Sequence, residues 1–442
     1  MIKRSNAKRL ITFACLILVL MLSLTSCFVI QLGGVKSAQI NENGELILEY
    51  SNGREQNIGT VAGQDGKDGA DGKDGQNGKD GKNGADGKDG ENGDYEIGGS
   101  IIGSSNQAAV EIAAAKGLRS AVSINCGTQC GSGVIYEIDK STGYALIITN
   151  YHVVYIASSK AISSNISVCL YGSEAENQKI AAEYVGGSMN YDIAVLRVRN
   201  SSVLKNSDAV AINVADADKV NVGATAIAIG NAEGMGISVT TGIVSVLSEY
   251  ITMKGADNQT TVTFRVMRVD TAVNSGNSGG GLFDETGKLI GIVNAKVVDE
   301  KVENIGYAIP SSTAIAVVEN IKANCLNSTN KKVMRAKVVE VVAENPVAVL
   351  DNSTGFVTIA EDVVVKSPAS GYLAKNVLFA GDVITALSIN GGEIKPVTRT
   401  YHVDDAVTTL ESGDTITIYY TRNNNAYNYT FSVSNTYISY IN

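Results

Sequence analysis

Short apolar runs separated by turn-forming residues dominate the middle of the chain. A first set covers residues 122–124, 133–136, 145–148, 166–170 and 193–198. A second covers residues 224–229, 242–247, 262–269, 288–293 and 306–309, with a polar break at 200–208 between the two. Brief runs rich in Val and Ile, bounded by Gly, Asn, Asp and Ser at regular spacing, read as strands of a sandwich or barrel. Helical patterns are confined to residues 107–116, 312–322 and 403–410. Asn106 suits the cap of the first, and Gly117 suits its C-terminal end. The polar segment Asn327-Ser328-Thr329-Asn330 then leads to a last mixed β unit over residues 331–442. Upstream, Asn43-Gly44 before Leu46-Ile47-Leu48, with Asn52-Gly53 beyond, predicts a short hairpin inside a spacer at residues 28–62.

The N-terminal hundred residues obey other rules. Lys3, Arg4, Lys8 and Arg9 precede an apolar run from Leu10 to about Leu24, followed by Leu24-Thr25-Ser26-Cys27. A charged start, a short apolar core and small residues before a cut describe a secretory signal over residues 1–27. The Leu-Thr-Ser-Cys tetrad resembles a bacterial lipobox, which implies lipid on Cys27. The alternative is an uncleaved transmembrane helix, because Phe28-Val29-Ile30 prolongs the apolar run to about 20 residues. Either places the remainder outside the cytoplasm. From Gly63 to Gly93 every third residue is Gly. That period is the collagen signature, since only Gly fits at the axis of a triple helix. As a triple helix the stalk would span about 90–95 Å at about 3.1 Å per residue and impose a trimer. Without the usual Pro, a flexible Gly-rich tether is the alternative.

Composition narrows the options further. A net charge of −9 over 442 residues argues against a nucleic-acid partner, which needs surplus Lys and Arg. No cofactor or metal motif is present. Cys126 and Cys130 flank Gly127-Thr128-Gln129 and could close a small disulfide loop in an oxidising compartment. Unpaired thiols are the main alternative, and a zinc site lacks a second ligand pair.

Nucleophilic serine chemistry needs a hydroxyl, a neutral imidazole to take its proton, and a carboxylate to hold the imidazole's tautomer. It also needs backbone N–H groups aimed at the oxyanion. Gly276-Asn277-Ser278-Gly279-Gly280 offers the hydroxyl on a loop whose glycines permit a tight turn. Of the 2 histidines, only His152, in Thr149-Asn150-Tyr151-His152-Val153-Val154, follows an apolar strand directly. Asp192 lies in Asn190-Tyr191-Asp192-Ile193-Ala194-Val195-Leu196, beside another strand.

Taken in the order His, Asp, Ser, these segments resemble the HtrA/Deg branch of chymotrypsin-like serine proteases over about residues 122–310. The resemblance implies a mainly β fold, with two antiparallel six-stranded barrels in a protease domain at residues 105–322. It implies His152 as base and acid, Asp192 as its orienter and Ser278 as nucleophile. Gly276, Asn277 and Ser278 would form the oxyanion hole, with Asn277 shaping its loop. Ala272, six residues before the serine, would line the substrate pocket and favour small or medium apolar residues. The family's usual prolines flanking the serine loop are replaced by Ser275 and Gly281, which predicts a looser, activatable loop. Residues 331–442 resemble a PDZ domain through Ala380-Gly381-Asp382-Val383-Ile384 and Asn390-Gly391-Gly392, although its usual Gly-containing carboxylate loop is not evident. The expected protein is a homotrimeric surface endopeptidase acting on exported or unfolded polypeptides. The alternative is a catalytically silent, chaperone-like binding protein displayed on the stalk.

Overall fold

A computed structural model describes residues 35–40, 45–50, 53, 55–60, 105–127, 129–173, 178–295, 305–352, 354–366 and 370–441. The signal segment, Cys27 and the Gly-X-Y run lie outside the described residues. Two compact units are present, Met1–Glu96 and Ile97–Asn442. In the first, β1 (Val35–Ile40), β2 (Glu45–Tyr50) and β3 (Glu55–Thr60) form an antiparallel three-stranded sheet. This is one strand more than the expected hairpin. The additional strand, Val-Lys-Ser-Ala-Gln-Ile, alternates too weakly to announce itself, and pairs Ala38 with Leu48 and Ile40 with Leu46.

The second unit opens on helix α1 (Ser105–Leu118). Gly117 lies inside this helix rather than beyond its end. A Cβ at Gly117 would sit 2.5 Å from Ile229 Cδ1, so the glycine serves close packing and not a left-handed cap.

Nine elements then build the first barrel and its edge. They are β4 (Ala121–Asn125), β5 (Cys130–Asp139), β6 (Tyr144–Thr149), a one-turn helix α2 (Tyr151–Val154), β7 (Tyr155–Ile156), β8 (Ala161–Ile162), β9 (Ile166–Leu170), β10 (Ile180–Ser188) and β11 (Ile193–Val198). The barrel closes in the order β10-β11-β6-β5-β4-β9. Its central strands are continuous apolar runs because both faces are covered. Leu146, Ile148 and Val195 enter one buried cluster, while Ile147, Ala194 and Leu196 enter another.

After a short helix α3 (Ser202–Lys205), the second barrel comprises β12 (Thr225–Gly230), β13 (Ser238–Lys254), β14 (Thr261–Val269), β15 (Gly281–Phe283), β16 (Leu289–Val293) and β17 (Gly306–Pro310). It closes in the order β12-β13-β14-β17-β16-β15. The fold class is therefore mainly β with two closed six-stranded antiparallel barrels. Helix α4 (Ser311–Cys325) follows, with Ala314, Val317, Val318 and Ile321 buried in the cluster that both barrels share.

Downstream, β18 (Val333–Ala336) stands apart from a sheet of β19 (Val341–Leu350), β20 (Val357–Val365), β21 (Val383–Ile389), β22 (Lys395–Pro396), β23 (Thr415–Arg422) and β24 (Asn425–Ser432). Helix α5 (Thr400–Thr409) joins β22 to β23, and β25 (Ile438–Ile441) returns to pair antiparallel with β18. Asn320 of α4 ties this region to the barrels. Its amide donates to Met334 O and Thr408 O at 2.6 Å each, and its carbonyl accepts Met334 N–H at 2.9 Å. Nearby, the buried Arg265 of β14 meets the Asp405 carboxylate at 3.4 Å. Burial outweighs that guanidinium and holds the Asp405 carboxyl above its ordinary range. Among the described residues no helix is long and apolar enough to cross a membrane.

Candidate active site

His152 projects from α2, the single turn that follows β6. Its backbone N–H donates to Asp192 Oδ1 at 2.9 Å, and its Nδ1 lies 2.6 Å from Asp192 Oδ2. Its Nε2 lies 2.9 Å from Ser278 Oγ. Thus an unbroken chain of hydrogen bonds runs from a carboxylate in the first barrel to a hydroxyl in the second. Asp192 adopts a left-handed conformation, φ 50°, just before β11. Its carbonyl accepts Tyr151 N–H at 3.1 Å and the Asn150 side-chain amide at 2.9 Å, which fixes the strained turn.

The serine loop is held from several directions. Ser132 Oγ donates to Gly276 O and accepts Asn231 N–H, each at 2.7 Å, and Ser132 N–H donates to Ser278 O at 2.8 Å. Gly276 at φ 91° and Gly279 at φ 84° occupy conformations that L residues avoid. A Cβ at Gly276 would collide with Asn231 O, and one at Gly279 with Ser132 O. In this conformation the loop without its flanking prolines is held by these hydrogen bonds.

Glu233 N–H donates to Ser275 O at 2.7 Å. A trans peptide points its N–H opposite to its carbonyl, so this bond turns Gly276 N–H away from Glu233. Neither Gly276 N–H nor Ser278 N–H has an acceptor among the described residues. Asn277 differs, since its N–H is spent on Asn274 O at 3.0 Å, leaving it to shape the loop. Ala272 is exposed where the chain leaves β14, and its carbonyl accepts Thr240 Oγ1 at 2.9 Å.

The second barrel contributes two groups that carry no motif. Asn294, fully buried just past β16, donates its amide to Asp192 Oδ2 at 2.9 Å. The next residue, Ala295, donates its N–H to Ser278 Oγ at 3.2 Å. Ser132, Glu233, Asn294 and Ala295 are the residues that sequence reasoning passed over. For Ser132 a faint signal existed in Gly131-Ser132-Gly133, on the strand ahead of the one that leads to the histidine; for Asn294 there was none.

Of the two states open to the Cys126 and Cys130 pair, this structure holds the unpaired one. Cys126 and Cys130 are both free, the first buried and the second exposed. The turn that hydrogen-bonds Cys126 N–H to Gln129 O at 2.9 Å sends their side chains to different environments. Burial pushes the Cys126 thiol up to about 11. Among the described residues no group of His, Cys, Asp or Glu could hold a metal ion.

The chain is similar in sequence to known proteins. Residues 131–292 match the trypsin-like peptidase domain. The chain is 32% identical over 300 residues to the serine protease Do-like HtrA of Lactococcus lactis, covering 66% of this chain and 67% of that protein. It is likewise 32% identical over 296 residues to the periplasmic pH-dependent serine endoprotease DegQ of Escherichia coli, covering 66% of this chain and 56% of that protein. A solved structure of the HtrA-type protease AlgW with a tripeptide aligns at a TM-score of 0.47 and 26% identity, over 74% of this chain and 96% of that chain. The chain belongs to the HtrA family of Do-like serine proteases and is a serine endopeptidase.

Proposed function

We propose that His152, Asp192 and Ser278 are the catalytic triad of an endopeptidase that cleaves exported or unfolded polypeptides outside the cytoplasm. The observation that supports it most is the hydrogen-bond chain from Asp192 Oδ2 through His152 to Ser278 Oγ, at 2.6 and 2.9 Å. In this reading His152 Nε2 removes the Ser278 proton as Oγ attacks the scissile carbonyl. Asp192 keeps the other ring proton on Nδ1 and steadies the imidazolium. The resulting oxyanion takes the Gly276 and Ser278 N–H groups, whose freedom from other acceptors suits that task. His152 then protonates the leaving amine, and a water, activated by the same imidazole, hydrolyses the acyl ester on Ser278.

Ala272 would line a pocket for small or medium apolar P1 residues. The region 331–442 would be a PDZ-like domain following the protease domain at 105–322. Lipid on Cys27 and a homotrimeric collagen-like stalk at 63–93 would display the enzyme at the membrane surface. The extracytoplasmic placing draws support from the signal-like N-terminus and from relatives named as periplasmic. The binding-only alternative is not favoured, because the relatives are named as proteases.

The test is labelling by a fluorophosphonate probe with cleavage-site mapping on denatured casein. Wild type should be labelled and cleave, and Ser278→Ala should do neither. Failure of wild type to react in the presence of unfolded substrate would sink the proposal.

A further inference from the structure

The Asp192 carboxylate is gripped from both barrels. The first barrel supplies the His152 backbone N–H on Oδ1 and the His152 ring on Oδ2. The second barrel supplies the Asn294 amide, on the same Oδ2 at 2.9 Å. We infer that Asn294 is a positioning residue of the hydrolytic centre, fixing the Asp192 carboxylate from the second barrel while its neighbour Ala295 fixes the Ser278 hydroxyl. This rests on the triad reading and deepens it.

The geometry gives each partner a distinct part. A carboxylate oxygen offers two in-plane acceptor directions. His152 Nδ1 and Asn294 Nδ2 take both on Oδ2, so rotation of the carboxylate would break two bonds together. Asn294 is fully buried, and no bulk water can replace its amide. Its own N–H donates to Tyr307 O at 2.8 Å, which anchors the donor to β17. An amide also orients a carboxylate without cancelling its charge, as an ammonium would, and so leaves Asp192 able to hold a proton on Nδ1.

Ala295 completes the arrangement one residue on. Because Ser278 Oγ accepts the Ala295 N–H at 3.2 Å, its own proton is directed at His152 Nε2, 2.9 Å away. One dipeptide just past β16 therefore acts on both ends of the hydrogen-bond chain, orienting the Asp192 carboxylate and the Ser278 hydroxyl.

The experiment compares full-length wild type with Asn294→Leu, Asn294→Asp and Asn294→Thr. Turnover of denatured casein is measured alongside the downfield proton resonance of the His152–Asp192 hydrogen bond. Asn294→Leu should lower kcat by about ten- to hundredfold, the effect of losing one hydrogen bond to a charged group. KM should stay within about twofold, since the group does not touch substrate. The resonance should shift or broaden. Asn294→Thr, which keeps a donor, should recover most of kcat and restore the resonance. Asn294→Asp has nearly the same volume and replaces the neutral amide by a carboxyl that must repel the Asp192 carboxylate or share a proton with it, so it carries the test should the leucine variant fail to fold. Wild-type kcat and an unmoved resonance in both Leu and Asp variants would overturn the inference while fluorophosphonate labelling of wild type still upheld the triad. Absence of labelling in wild type would overturn both.

Discussion

Ser132 Oγ donates to the carbonyl of Gly276 at 2.7 Å, joining β5 of the first barrel to the loop that bears the serine. The same hydroxyl accepts Asn231 N–H, so one small side chain satisfies two buried backbone groups on separate segments. Ser132→Ala leaves both without partners. We expect it to cost about 1–3 kcal/mol of stability, the usual penalty of an orphaned buried polar group. With the loop displaced, kcat should fall by about ten- to hundredfold. Thermal denaturation and turnover on one preparation check both expectations.

Gly117 makes a sharper prediction about packing. A methyl group at this position meets Ile229 Cδ1 and Phe283, both fully buried. Gly117→Ala should therefore destabilise by about 1–3 kcal/mol despite the better helix propensity of Ala. A rise in Tm would show that the helix cedes the space freely.

The thiols separate by environment. Cys126, buried and pushed up to about 11, should resist iodoacetamide at pH 8 in the native protein, whereas exposed Cys130 should be alkylated. Linkage runs in a definite direction. Burying the neutral Cys126 thiol contributes stability that is full below its ordinary value of 9.0 and is lost as pH rises through about 11. Mass spectrometry after alkylation, native and denatured, reads the difference. Protection of both residues at once, reversed by reductant, would mean that a disulfide had formed.

Asn320 offers a test of the joint between the barrels and the C-terminal region. Asn320→Leu leaves Met334 N–H, Met334 O and Thr408 O without their amide partner. Each group left buried and unpaired should cost about 1–3 kcal/mol. Limited proteolysis should then cut near residues 327–332 sooner than in wild type, and an unchanged cleavage rate would count against this joint.

Much of the fold was legible because barrel strands covered on both faces must be apolar throughout. β6 and β11 announced themselves in that way. β13 did so only in part: residues 242–247 read as a strand, while the element extends from Ser238 to Lys254. Its outer portions are largely exposed, so polar residues there are tolerated and the pattern fades. The hairpin of β19 and β20 was missed for the opposite reason. Val347, Val349, Leu350, Val357 and Ile359 are all exposed, so the run shows no alternation of apolar and polar positions. At the site, His152, Asp192 and Ser278 stood out by residue type and order. Asn294 did not, because an asparagine that matters through one hydrogen bond looks like any other asparagine after a strand.

The pairing of β18 with β25 bears on how the protein is made. Arg335 faces Ser439 and Val333 faces Ile441, partners about a hundred residues apart along the chain. Contacts that distant form late, because the loop between them must be closed before they are rewarded. During synthesis the barrels can finish folding while β18 still waits for its neighbour. The newborn chain thus passes through an interval with one strand edge exposed, and a chaperone or a second nascent chain could engage it there.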